Sequence, residues 1–225
     1  MIRNLFCQTL MTFLVTTSTA SAKSMVQTYE EVTGTQKAPY CCRIDTLSGN
    51  RLQITVTGAT ETIAAQSDDL CTVVQSATFQ SHGSSNQTIV RRDGEKLCIN
   101  GGKTFVISRA PWYVDMNAVG KALKNEKSHP FWILSDGFSE IDHKNGLSAI
   151  PLIAKFKEFD TITLNGTSTP TIRAQVTFPD WRSVFWKSTY WFRQTDGVMI
   201  RSKSVRGGPG TKKTVVTLIR EEVLP

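Results

Sequence analysis

Short runs of alternating apolar and polar residues recur through this chain, and the residues between them are ones that turn a strand back on itself. In residues 51–57, Leu52, Ile54 and Val56 alternate with Gln53, Thr55 and Thr57, a β-branched pattern that predicts a strand. Ala77 to Ser81, Gln87 to Arg92, Lys96 to Asn100 and Thr104 to Arg109 follow, broken by Asp93-Gly94 and Gly101-Gly102. Such pairs accept the positive φ of tight hairpin turns, so an antiparallel meander is expected. The last third repeats the theme in Phe159 to Leu164, Thr171 to Phe178, Thr189 to Gln194, Val198 to Val205 and Lys213 to Val223. Three segments read as helices by the spacing of their apolar residues. They are a short one at Met25 to Val32, one from Thr60 to Gln75 that places Ile63, Ser67, Leu70, Cys71 and Val74 on one face, and one from Asp115 to Asn125 with Asp115 as its cap. His129 to Leu134 reads as an aromatic loop.

The first 22 residues have the order of an export signal. Arg3 precedes an apolar run from Leu5 to Val15, and Ala20-Ser21-Ala22 forms an A-x-A cleavage site. The run is shorter than the roughly 20 residues that span a bilayer. Cys7 lies at its start rather than after it, so no lipid anchor is expected. Cleavage leaves 203 residues, enough for one β-rich domain, working in the periplasm or outside the cell. Basic residues outnumber acidic ones by 26 to 19 in the whole chain, and nine to three from Trp181 to Pro225. That excess suits a solvated strand face, or one that meets a membrane surface or an acidic protein; export argues against nucleic acid.

Cys41, Cys42, Cys71 and Cys98 remain after cleavage. In an oxidising compartment an even count suggests two disulfides, with the adjacent Cys41 and Cys42 joined separately to Cys71 and Cys98 in an unassigned order. No C-x-x-C motif supports redox chemistry, although a thiol enzyme using Cys41 or Cys42 is a third reading. His82, His129 and His143 are too scattered to be metal ligands, and no cofactor is called for. There is no G-x-S-x-G, H-E-x-x-H or phosphate-binding glycine loop. The carboxylate pairs Asp68-Asp69 and Glu221-Glu222 point to different sides of any regular element. None of these features supplies a recognisable catalytic motif. Its five tryptophans, 112, 132, 181, 186 and 191, suit either a packed core or the wall of a cavity.

The order of these parts resembles the LolA-type lipoprotein-carrier superfamily and related periplasmic domains. A Phe-containing strand at Ala77 to Gln80 is followed by an Arg-bearing strand with Arg91 or Arg92, a glycine hairpin at Asn100 to Val106, a helix at Asn117 to Asn125, and a closing meander at Tyr190 to Val223. The resemblance implies an α+β fold: a mainly antiparallel sheet curved into an incomplete barrel, with a few short helices on or in its concave face. It divides the chain into signal (1–22), an extension bearing Cys41 and Cys42 (23–59), and a half-barrel (60–225). It further implies a non-catalytic carrier for a lipid or the acyl chain of a lipoprotein. Arg91, Arg92, Trp112, Phe131, Trp132, Trp186 and Trp191 would then be ligand-binding. The alternative is an envelope interaction protein whose basic C-terminal strands bind an acidic partner or membrane.

Overall fold

A computed structural model describes residues 23–47, 51–58, 61–68, 73–83, 85, 87–99, 102–107, 110–135, 147–205 and 212–224. The export signal, Cys71 and Asp69 lie outside these residues. Strands dominate. The first eight are β1 (Ser24–Thr33), β2 (Gln36–Thr46), β3 (Leu52–Thr57), β4 (Glu61–Asp68), β5 (Val73–Ser81), β6 (Gln87–Asp93), β7 (Lys96–Ile99) and β8 (Lys103–Val106). After the short β9 (Trp112–Tyr113) comes the helix α1 (Asn117–Leu123). The rest are β10 (Ser128–Ser135), β11 (Ser148–Leu164), β12 (Thr167–Thr177), β13 (Lys187–Arg193), β14 (Met199–Val205) and β15 (Lys213–Leu224). A 3₁₀ turn, Trp181–Val184, joins β12 to β13.

All fifteen strands form one sheet, in the order β8 to β1 and then β15 down to β9. Each pair is antiparallel except β9 with β10. Because nearly every neighbour in space is a neighbour in sequence, the turns carry the topology. At the β11–β12 turn Asn165 (φ 49°) and Gly166 (φ 80°) both take the left-handed conformation a two-residue hairpin needs. The one long-range pairing, β1 with β15, joins the two ends of the chain in the middle of the sheet. The segment 23–59 thus contributes three strands between β15 and β4.

The sheet curls into an incomplete barrel. Tyr29, Ile54, Ala65, Phe79, Val90, Leu97, Ile172, Phe192 and Leu218, drawn from both limbs, meet in one buried cluster on the concave face. Alternation sets this up, since residues i and i+2 of a strand share a face. Two predicted helices are strands instead. Met25 to Val32 lies in β1, and Thr60 to Gln75 splits between β4 and β5. Ile63, Ala65 and Ser67 have period two as well as their helical spacing, and pairing with Val56, Ile54 and Leu52 decides between them. The expected loop at His129 to Leu134 is β10, in which Phe131 and Ile133 face Leu152 and Ile150.

The third helix is present. Asp115 accepts a 2.6 Å hydrogen bond from the Asn117 amide, doing the work of a cap. Asn117, Ala118, Val119, Gly120 and Leu123 are buried beneath the sheet. Among the described residues no helix is long and apolar enough to cross a membrane.

Candidate functional site

The curl leaves a seam. Trp112 and Tyr113 are consecutive in β9, so their side chains leave opposite faces, yet Trp112 is 0% and Tyr113 5% exposed. The strand is therefore covered on both sides. Tyr113 turns inward, where its hydroxyl lies 3.0 Å from His129 Nε2 and its ring faces Phe131. Trp112 pairs in register with Trp132, on the face of β10 away from Phe131. Contact of β9 with β5, and a 3.1 Å bond from Lys103 Nζ to the Leu147 carbonyl, show what covers that face. The limb β5 to β8 comes against the β9–β10 edge, and among the described residues no strand ladder joins β8 to β9.

The residues expected to form one ligand wall are thus distributed. Trp112 and Trp132 sit together at the seam, and Phe131 is on the other side of the same two strands. Arg91 and Arg92 are consecutive in β6 and diverge. Arg91 is exposed, while Arg92 lies on the side of Val90, its Nε donating to the Gly94 carbonyl at 3.0 Å. Trp186 packs on Phe178 with ring centroids 5.4 Å apart. Trp191 is on the outer face of β13, its Nε1 donating to Asp160 Oδ2 at 2.9 Å.

Trp191 floors a shallow outer groove of about 370 Å³, bordered by Lys157, Arg173, Gln175, Thr189 and Lys203. Arg173 is paired with Glu158 there. The Trp191 indole, then the Thr161 amide, hold the Asp160 carboxyl below the usual carboxylate range. Lysine and arginine side chains border this groove, unlike the seam.

Among the described residues two buried N–H donors lack acceptors, Trp112 Nε1 and one terminal nitrogen of Arg92, Nη1, as do the hydroxyls of Thr171 and Ser188. Leaving a buried donor unpaired costs about 1–3 kcal/mol. Both belong to residues that the sequence had pointed to, one through its indole and one through the Arg-bearing strand.

Sequence reasoning missed a chain of polar groups that fixes α1. Gln27, fully buried in β1, accepts from Asn117 Nδ2 at 2.8 Å and donates to Glu221 at 3.0 Å. Asn117 Oδ1 accepts from the Met199 amide at 2.9 Å. Arg193 bridges Glu221 (2.8 Å) and Asp196 (2.7 Å). Burial acts to raise the Asp196 carboxyl, but the Arg193 guanidinium and the Val198 amide outweigh it and hold the group low. Tyr113, His129 and Glu126 form a second chain, with Glu126 2.9 Å from His129 Nδ1. Only the His129 and Glu126 spacing, three residues apart before a strand, could have been noticed in the sequence.

The cysteine scheme does not hold for Cys98. No disulfide joins Cys41, Cys42 and Cys98. Cys41 and Cys42 leave opposite faces of β2, and four strands separate β2 from β7, where Cys98 lies. At about 4.8 Å per strand the gap is roughly 24 Å along the sheet, against the roughly 7 Å limit between bridged Cα atoms. Among the described residues no cluster of His, Cys, Asp or Glu could hold a metal ion.

No family model and no curated protein matches the chain. Solved structures do. A beta-barrel-like protein of a domain of unknown function from Brucella abortus superposes with a TM-score of 0.56 at 6% identity, covering 90% of this chain and 98% of that one. The hypothetical lipoprotein YmcC from Escherichia coli matches at 0.40 and 13% identity, over 86% of each chain. A LolA superfamily protein from Nitrosomonas europaea matches at 0.27 and 9% identity, over 89% of this chain and 85% of that one. At these identities the likeness is one of fold: the chain is built as a curled, unclosed antiparallel sheet that a Brucella protein shares along almost its whole length.

Proposed function

We propose that this is an exported envelope protein, periplasmic or secreted, that binds or carries an apolar ligand such as a lipid or the acyl chain of a lipoprotein and performs no chemistry on it. The observation that carries this reading is the pair of buried N–H donors without acceptors, Trp112 Nε1 and Arg92 Nη1. An ester, phosphate or carboxylate oxygen at the head of an acyl ligand would satisfy such donors, and a guanidinium suits an anionic head best. Parting the lapped margins would admit the chain beside Trp112 and Trp132, each buried methylene contributing about 0.8 kcal/mol. Arg92, Trp112 and Trp132 form the proposed ligand-facing set. Arg91, Phe131, Trp186 and Trp191 lie outside it.

Native mass spectrometry after gentle extraction, with titration of the stripped protein by a fluorescent fatty acid, tests the reading. The wild-type protein should carry or take up lipid, and Arg92→Met should weaken uptake by roughly tenfold, the loss of one charged hydrogen bond. A wild-type protein that is empty after extraction and takes up no fatty acid defeats the proposal.

A second reading, an interaction protein that meets an acidic partner or membrane through its C-terminal strands, is favoured by a different observation. Lys187, Arg201, Lys203 and Lys213 all occupy the outer face of β13 to β15, with exposed side chains.

A further inference from the structure

The 3₁₀ turn between β12 and β13 exposes apolar side chains that the fold could have buried. Trp181 is 73%, Val184 79% and Phe185 61% exposed. They are neighbours: the Trp181 and Phe185 rings meet edge to face with centroids 5.8 Å apart. Single exposed apolar residues are ordinary, but three on one turn need a partner surface. The turn itself is firmly built. Asp180 accepts from the Arg182 amide at 3.0 Å and pairs with its guanidinium, which stacks over Phe178, and Thr177 Oγ1 donates to the Trp186 carbonyl at 2.8 Å. The knob is thus held out from the sheet by its own contacts.

The strand register places charge beside it. Thr177 pairs with Lys187, Thr189 with Lys203, and Val205 with Lys213, so the knob hangs beyond a strip of lysines at one end of three adjacent strands. Neighbouring strands are about 4.8 Å apart, so Lys187 and Lys213 lie roughly 10 Å from each other. Lys212 follows, its aliphatic stem lying over Gly34. The carboxylates near this strip are already engaged: Glu30 with Lys37, Glu158 with Arg173, and Asp180 with Arg182. At the other end of these strands Arg193 is shared by the carboxylates of Glu221 and Asp196, so no positive excess is left there.

We infer that this end of the protein docks on an anionic phospholipid surface, with Trp181, Val184 and Phe185 entering the headgroup layer and Lys187, Lys203 and Lys213 meeting the phosphates. Aromatic rings prefer that depth, and apolar insertion beside a basic rim is the combination by which peripheral proteins hold to bilayers. A protein partner for an apolar knob would not need the lysines, and an acidic partner would not need three apolar tips. This docking uses the outer end of the sheet and holds whatever the interior carries.

The purified protein should sediment with vesicles of phosphatidylcholine and phosphatidylglycerol, and far less with phosphatidylcholine alone. Trp181→Ser with Phe185→Ser should weaken that binding by at least about tenfold, since about 1.4 kcal/mol of lost apolar burial suffices. Its melting temperature should stay at the wild-type value, because the replaced side chains are mostly in water. Val184→Ser, a smaller change at a still more exposed position, should reduce binding in the same direction and guards against a folding artefact in the double variant. Lys187→Glu with Lys213→Glu should remove the preference for phosphatidylglycerol. Absence of wild-type sedimentation, or binding untouched by the apolar substitutions, overturns the inference. So does concentration-dependent self-association that Trp181→Ser abolishes, which would assign the knob to a second copy of the chain.

Discussion

The two ends of β13 are treated in opposite ways. At its C-terminal end the turn into β14 is pressed against α1 so closely that neither partner has room for a side chain. A Cβ on Gly120 would come within 2.0 Å of the Gly197 carbonyl oxygen, and one on Gly197 within 2.5 Å of the Lys121 nitrogen. Lys124 Nζ reaches the Thr195 carbonyl at 2.6 Å, and Gln27, Asn117, Arg193 and Glu221 satisfy one another around the contact. At its N-terminal end three large apolar side chains stand in water. Stability explains the first arrangement and cannot explain the second. The contrast separates residues kept for the fold from residues available to meet something else.

That contrast can be broken by mutation. Gly120→Ala should be the most damaging single change, because the clash is with backbone and the turn cannot yield without losing its hydrogen bonds. A loss on the order of 3 kcal/mol is expected, lowering the melting temperature by roughly 10 °C. Asn117→Ala removes an acceptor from the Met199 amide and a donor from Gln27, both buried, and should cost about 2 kcal/mol in chemical denaturation. Gly120→Ala or Asn117→Ala without effect would mean that the helix does not brace the sheet.

The smallest effect concerns Asp115, and it depends on pH. Burial raises its carboxyl from the ordinary value of 3.8, against hydrogen bonds from the Asn117 and Ala118 amides. A carboxyl raised on folding is tolerated when protonated and costs stability as pH climbs from the unfolded value through the folded one. Asp115→Asn keeps an acceptor without the charge, so it should equal the wild type in acid and match or exceed it at neutral pH. Asp115→Ala removes the cap and should lose about 1 kcal/mol at either pH. A neutral-pH stability lower for Asn than for Asp would show that the buried carboxylate is a net benefit.

Strands with clean alternation and explicit turns were legible. Leu52 to Thr57, Gln87 to Asp93 and Lys96 to Ile99 match their predicted positions to within a residue or two, since side-chain period and turn chemistry act locally. β1, β4 and β10 were not. Their spacing also fits a helix or an aromatic loop, and the choice was made by partners far away, Leu218 for Tyr29 and Leu152 for Phe131. For the candidate site, tryptophans and paired arginines were visible as types. Which of them shares a face depends on β9 running parallel to β10, and no local signal encodes that.

The residues themselves determined the hairpins that follow Gln87, those that close the chain and the helix after Asp115, because glycine turns, β-branched alternation and a carboxylate cap act within a few positions. Tertiary structure alone decided the closure of β1 on β15, the lap of one limb over Trp112, and the exposure of Trp181 and Phe185. Those outcomes depend on curvature summed over fifteen strands, and a small twist at each pair sets which distant faces finally meet.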